Sequence, residues 1–225
     1  MRKKVGHTFK VTGTVAAVCA ALAGCASTPP KAEVSDDGLQ RVEISLFDEL
    51  YVAPGVSLAN YQRVMIDPIE ITFKKDWRKK HPDLSNRDFE VFRSELARLL
   101  HEKLVTELAH GGYTIAESPD KDVIRLRASI ESADFAGPEP AGEKKTLAFT
   151  DGEMTLRVLG FDGPSGALVA RVKDYEEDNE TRILERADRI TAYHNAQKIF
   201  KEWAEALRSA IDVAKVRAGA RTPNQ

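Results

Sequence analysis

Apolar residues recur at helical spacing in two stretches of the chain and at strand spacing in several others. Residues 84–112, LSNRDFEVFRSELARLLHEKLVTELAHGG, set Phe89, Phe92, Leu96, Leu99, Leu100, Leu104 and Leu108 on one stripe, the i, i+3, i+4 pattern of an amphipathic helix. Ser85 and Asp88 form an S-x-x-D start signal, and Gly111-Gly112 a stop. Residues 188–217 repeat the helical pattern with Tyr193, Ala196, Phe200, Trp203, Leu207, Ile211 and Ala214. The stripe assigns Trp203 to the core. The tail 218–225, AGARTPNQ, reads as frayed.

Strand patterns fill the rest. In 61–73, YQRVMIDPIEITF, Val64 and Ile66 alternate in one phase and Ile69, Ile71 and Phe73 in the other. The phase changes at Asp67-Pro68, and a proline cannot donate to a ladder, so an edge strand with a bulge is expected there. One short strand is expected within 40–52 and another at 113–118. Residues 122–135 place Ile124, Leu126, Ala128 and Ile130 on one face and Arg125, Arg127, Ser129 and Glu131 on the other. After a loop, GPEPAGEKK, the strands 153–162 and 167–176 are joined by the turn DGPSG as a hairpin. The order strand, helix, several strands, helix predicts an α+β fold. It would be a single domain over 39–217, a mainly antiparallel sheet covered on one face by two helices. An exposed sheet face accounts for Arg125 and Arg127 standing opposite an apolar row.

The amino terminus has a different character. Arg2, Lys3, Lys4 and Lys10 precede an apolar run from Val15 to Ala23 that is too short to span a bilayer, the layout of a secretory signal peptide. The run ends in Leu22-Ala23-Gly24-Cys25, which resembles the lipobox of bacterial lipoproteins. The resemblance implies cleavage after residue 24, diacylglyceryl transfer to the Cys25 thiol and acylation of the new amino terminus. More than one acyl chain is needed for a stable anchor. Residues 25–38, small, polar and Pro-containing, read as a lipidated tether. In such lipoproteins an Asp after the cysteine favours the inner membrane. Ala26 therefore implies the outer membrane, periplasmic face.

Removing residues 1–24 takes away four of the 33 basic residues and none of the 35 acidic ones, leaving a net charge of about −6. Bulk charge thus argues against a nucleic-acid partner. Cys19 leaves with the signal and Cys25 is taken by lipid, so no thiol remains for a disulfide, a nucleophile or a metal.

Candidate chemistry is sparse. Gly163-Pro164-Ser165-Gly166-Ala167 lacks the final glycine of a nucleophile elbow and lies in a hairpin turn. Asp174, Glu176, Asp178, Glu180 and Glu185 match calcium-loop spacing, but Asn179 stands where glycine is required. They read as a solvated acidic strand end. His81, His101, His110 and His194 include no i, i+4 pair for a metal. No cofactor or metal site and no enzyme activity are expected. The basic stretch 74–81, KKDWRKKH, surrounds Trp77 with Lys74, Lys75, Arg78, Lys79 and Lys80. It is either a solvated loop with Trp77 folded back, or an interaction loop that meets an anionic surface with Trp77 as its apolar anchor.

Three stretches carry a wider resemblance: YVAPGVSLANYQRVMIDPIEI, DVIRLRASIESADF, and FDGPSGALVARVKD with AQKIFKEWAEALRSAID. They look like the bacterial lipoproteins grouped as Domain of Unknown Function 3313 (DUF3313), over roughly residues 37–217. The resemblance implies a location and a fold but no activity. The expected function is a lipid-anchored, non-catalytic envelope protein that binds another protein or an anionic envelope polymer. The alternative is a module that holds a small ligand or lipid between sheet and helices. A deep apolar cavity on the sheet face would favour the second reading, and a flat exposed apolar patch the first.

Overall fold

The structure is a computed structural model that describes residues 33–82, 84–134, 153–177 and 189–219, without the side chains of 177, 189–195, 214 and 216–219. The signal peptide, Cys25, the tether up to residue 32, the loop 137–145 and residues 220–225 lie outside the described residues.

The strands are β1 (Gln40–Arg41), β2 (Glu49–Val52), β3 (Arg63–Ile66), β4 (Glu70–Phe73), β5 (Thr114–Ile115), β6 (Val123–Ala133), β7 (Glu153–Asp162) and β8 (Leu168–Glu177). The helices are α1 (Trp77–Lys80), α2 (Asn86–His110) and α3 (Arg189–Gly219). The fold is α+β, with all eight strands in one sheet of order β1-β2-β8-β7-β6-β3-β5 and β4 also paired to β6. From β6 through β7 and β8 to β2 and β1 every pairing is antiparallel.

At the other side the pairing is parallel, because α2 carries the chain back across the sheet before β6 begins. β3 and β4 both run parallel to β6, and β5 parallel to β3. This refines the expected edge strand. β3 is flanked on both sides, by β6 and β5, while β4 pairs with β6 alone. Pro68 sits in the gap between β3 and β4, where no ladder donor is needed. The single short strand expected within 40–52 is two, β1 and β2.

The start signal of α2 acts as read: the Ser85 hydroxyl accepts from the Asp88 amide at 3.1 Å. Its end is closed by Gly112 at φ 81°, a conformation open to glycine at little cost. The tether blends into the domain sooner than expected. Val34 bridges Gln40, and the Arg41 amide donates to the Glu33 carbonyl.

The core lies between the helices and one sheet face. Ile124, Leu126, Ala128 and Ile130 of β6 are buried with Leu156 and Val158 of β7 and Val172 of β8. They belong to one cluster with Leu96, Leu100 and Leu104 of α2 and Phe200, Trp203 and Leu207 of α3. Trp203 is therefore a core residue, as its stripe predicts. Arg125, Arg127, Arg157 and Lys173 project from the opposite face, each 40–50% exposed.

Candidate functional site

Where β2, β8 and β7 meet the carboxyl-terminal half of α3, the core is not filled. The register sets one row across four strands, Leu126, Gly160, Ala170 and Val52, on the helix-facing side. Its two central positions carry no side chain or a single methyl. A Cβ built on Gly160 would lie 3.2 Å from Ile124 Cδ1 and 3.3 Å from Ala170 Cβ, so these two side chains close in on the glycine and leave no room there for a larger residue. Ala210 faces them from α3. The result is a groove of about 900 Å³, floored by the sheet, walled by Leu207, Ala210 and Ile211, and bordered by residues 40–44 and 52–58. Val42, Ile44, Val56 and Leu58 make this border largely apolar, while Gln40, Glu43 and Ser57 supply polar groups.

Of the two readings of the basic stretch, the structure supports the one with Trp77 folded back: Trp77 has no exposed surface, so it is not an apolar anchor for an outside surface. It lies against Phe73 (ring centroids 4.5 Å), Phe89 (5.6 Å) and Phe92 (6.0 Å) and stacks on His81 (4.2 Å). Aromatic surface of this size gains more by leaving water than the flanking charges lose, because those charges stay at the rim. Lys74 pairs with Glu153 and Asp134, and Lys80 with Asp134 and Asp76. Arg78 donates to the Leu84 carbonyl and to Asn86 while lying over the Phe89 ring. Lys75 and Lys79 are exposed.

The other candidates resolve into structural roles. Ser165 donates to Asp162 inside the β7–β8 turn, and the Tyr61 hydroxyl donates to the same carboxylate. Asp174, first of the calcium-like run, faces the helices. Its two oxygens accept from the Asp48 amide at 3.0 Å and the Trp203 indole N–H at 2.8 Å. Burial pushes its pKa above the usual carboxylate value, and Glu176 is raised for the same reason, with Asp174, Glu202 and Asp48 adding to it. Asp178, Glu180 and Glu185 lie outside the described residues. Among the described residues, no group of three or more His, Cys, Asp or Glu could hold a metal. His110 stands 3.8 Å from Glu107, and the His194 side chain is not described.

The sequence suggested a groove between sheet and helices only as the alternative and pointed to none of its residues. Gly160 and Ala170 were visible as small residues in strands, but only the pairing register makes them neighbours.

Among curated proteins none matches the sequence significantly. Two solved structures are among those to which the chain bears a weak similarity. One is a PelC dodecamer from Paraburkholderia phytofirmans, at 11% identity and TM-score 0.38, covering 71% of this chain and 96% of that one. The other is a minor lipoprotein from Acinetobacter baumannii, at 11% identity and TM-score 0.31, covering 73% and 98%. At scores this low neither structure speaks for the activity of this chain. The sequence itself is more specific: residues 31–207 match the family described as "Protein of unknown function (DUF3313)", and the chain belongs to that family.

Proposed function

We propose that this is a lipid-anchored protein of the bacterial envelope, held at the periplasmic face of the outer membrane through Cys25, whose domain is a non-catalytic module that binds a small apolar ligand or lipid in the groove. Leu22-Ala23-Gly24-Cys25 supports the anchor. The groove carries the choice of ligand class. Its volume of about 900 Å³ falls within the roughly 300–1,000 Å³ of small-molecule sites, and its lining is mainly apolar with a few polar groups at the border. A protein-docking module would instead present a contiguous apolar patch. Among the described residues the large apolar side chains that are exposed are Val34, Val91 and Tyr175, on separate parts of the chain.

Two measurements test the two halves of this reading. The intact mass of protein extracted from membranes should show loss of residues 1–24 and acyl groups on Cys25. An unmodified cysteine would remove the anchor from the reading. Titration with a solvatochromic apolar probe such as N-phenyl-1-naphthylamine should show saturable binding. Ala170→Leu combined with Ala210→Leu fills the groove and should weaken that binding at least tenfold with an unchanged circular dichroism spectrum. Equal binding by this variant would place the probe elsewhere and defeat the groove reading.

A further inference from the structure

The groove leaves the other face of the sheet without a role, and that face contains an arrangement that secondary structure alone does not favour. Arg157 of β7 is the direct cross-strand partner of Lys173 of β8. In the next row Arg127 and Arg171 flank Leu159 on its two sides. Like charges placed directly opposite each other on one sheet face weaken the pairing of the strands. Their carboxylate partners all lie outward of this centre. Arg127 reaches Asp67 at 3.3 Å, Arg157 reaches Glu131 at 3.4 Å, and Lys173 reaches Glu49 at 3.5 Å, while Arg171 pairs with Asp37 at 2.6 Å. Among the described residues, the middle of the face therefore gathers four cations, each paired with a carboxylate at its border. Two guanidinium groups also lie over rings, Arg127 over Phe161 at 5.1 Å and Arg171 over Tyr51 at 4.7 Å, which limits the conformational freedom they would lose on meeting an anion.

The position of the tether says which anion is near. The described chain begins at Glu33, whose carboxylate meets Arg41 and the Tyr51 hydroxyl. Tyr51 is the cross-strand partner of both Arg41 and Arg171, so the tether leaves from the border of this same face. Only the segment from Cys25 to Glu33 separates the lipid from that border, a reach of about 26 Å at full extension.

We infer that the cationic centre of this sheet face, Arg127, Arg157, Arg171 and Lys173, docks on the anionic phospholipid headgroups of the membrane that holds the anchor. A headgroup phosphate seated between Arg157 and Lys173 relieves their repulsion, and Leu159 and Tyr175 meet the interfacial region. The inference rests on the anchor reading and is independent of the groove. The domain as a whole is acidic, so the attraction is local and falls with salt.

The test uses the mature chain with Cys25→Ser, which lacks only the lipid. Its binding is measured to vesicles of phosphatidylcholine alone and of phosphatidylcholine with phosphatidylglycerol. Binding should require phosphatidylglycerol and weaken as salt is raised. Arg157→Gln with Lys173→Gln removes two exposed charges without introducing new ones, so the fold should hold. The pair should lower affinity about fivefold per charge removed. Lys75→Glu with Lys79→Glu, on the α1 loop, should leave affinity nearly unchanged. Binding that ignores phosphatidylglycerol, equal binding by the glutamine pair, loss through the loop pair instead, or binding to poly-glutamate but to no vesicle would each overturn the inference. Vesicle binding is read without the lipid, so its failure is distinct from absence of the acyl groups on Cys25.

Discussion

The buried face of the sheet has two ends, and they are filled in opposite ways. At the β4–α1 end, Phe73, Trp77, Phe89 and Phe92 crowd together with ring centroids 4.5–6.0 Å apart. At the β2–β8 end the facing residues are Gly160, Ala170 and Ala210, and about 900 Å³ stays open. Both ends stand on the same sheet, but α1 and α2 cover the filled end with Trp77, Phe89 and Phe92, while α3 covers the open end with Leu207, Ala210 and Ile211. Side-chain volume follows that division. Protein interiors are otherwise packed as densely as organic crystals, and large rings at one end with almost none at the other leave a space that the helices do not close. The filled end is where folding free energy is concentrated. The open end is where a ligand can be received.

Removing the largest side chain of the filled end should break that contrast most severely. Trp77→Ala should destabilise the domain by about 3–5 kcal/mol, seen as a lower urea midpoint with an unchanged m-value. A loss below about 1 kcal/mol would mean that Trp77 is not buried as described, and would restore it as a surface anchor.

A matched pair of substitutions sharpens the comparison. Ala133 is fully buried opposite Phe73, at the filled end, and Ala170 lines the groove. Ala133→Leu should cost about 1–3 kcal/mol through overpacking, whereas Ala170→Leu has space to enter and should cost less than about 1 kcal/mol. Equal losses in the two melting curves would show that the groove closes in solution.

The smallest effect concerns a half-buried polar residue of β8, Asp174. Burial raises the pKa of Asp174 in the folded chain, so the folded state binds this proton more tightly than the unfolded one. Its contribution is therefore most favourable at acid pH. It declines as pH rises from the ordinary carboxylate value through the raised one, and is level above that. Asp174→Asn removes the titration but keeps one accepting oxygen, so either the Trp203 indole or the Asp48 amide loses its acceptor. That lost bond, about 1 kcal/mol, offsets the relieved burial of charge, so the variant should lie within about 1 kcal/mol of the parent at pH 7, with a flatter stability profile above pH 4. A loss of several kcal/mol at neutral pH would mean that the ionised carboxylate is needed.

The α2 helix was legible down to its cap, because Ser85, Asp88 and the leucine stripe are local signals that act within a few turns. The two faces of β6 were legible for the same reason, since alternation needs no partner to be seen. The basic stretch shows where local reading stops. It left Trp77 either folded back or anchoring outside, because the surroundings that decide the question are distant in sequence. Phe89 and Phe92 supply rings from the next helix, while Asp134 and Glu153 neutralise the lysines from the far side of the chain.

By itself, then, the sequence determined the two long helices, the strands β6 to β8 and the faces they bury, the α+β class and the family. These depend on periodicity and capping, which are properties of neighbouring residues. Only the tertiary structure decided that β3 and β4 run parallel to β6, that Trp77 belongs to the core, and that Gly160, Ala170 and Ala210 leave a groove. A cavity is a difference between the volume that elements enclose and the volume their side chains fill. That difference exists only once strand register and helix position bring residues from β7, β8 and α3 to one place.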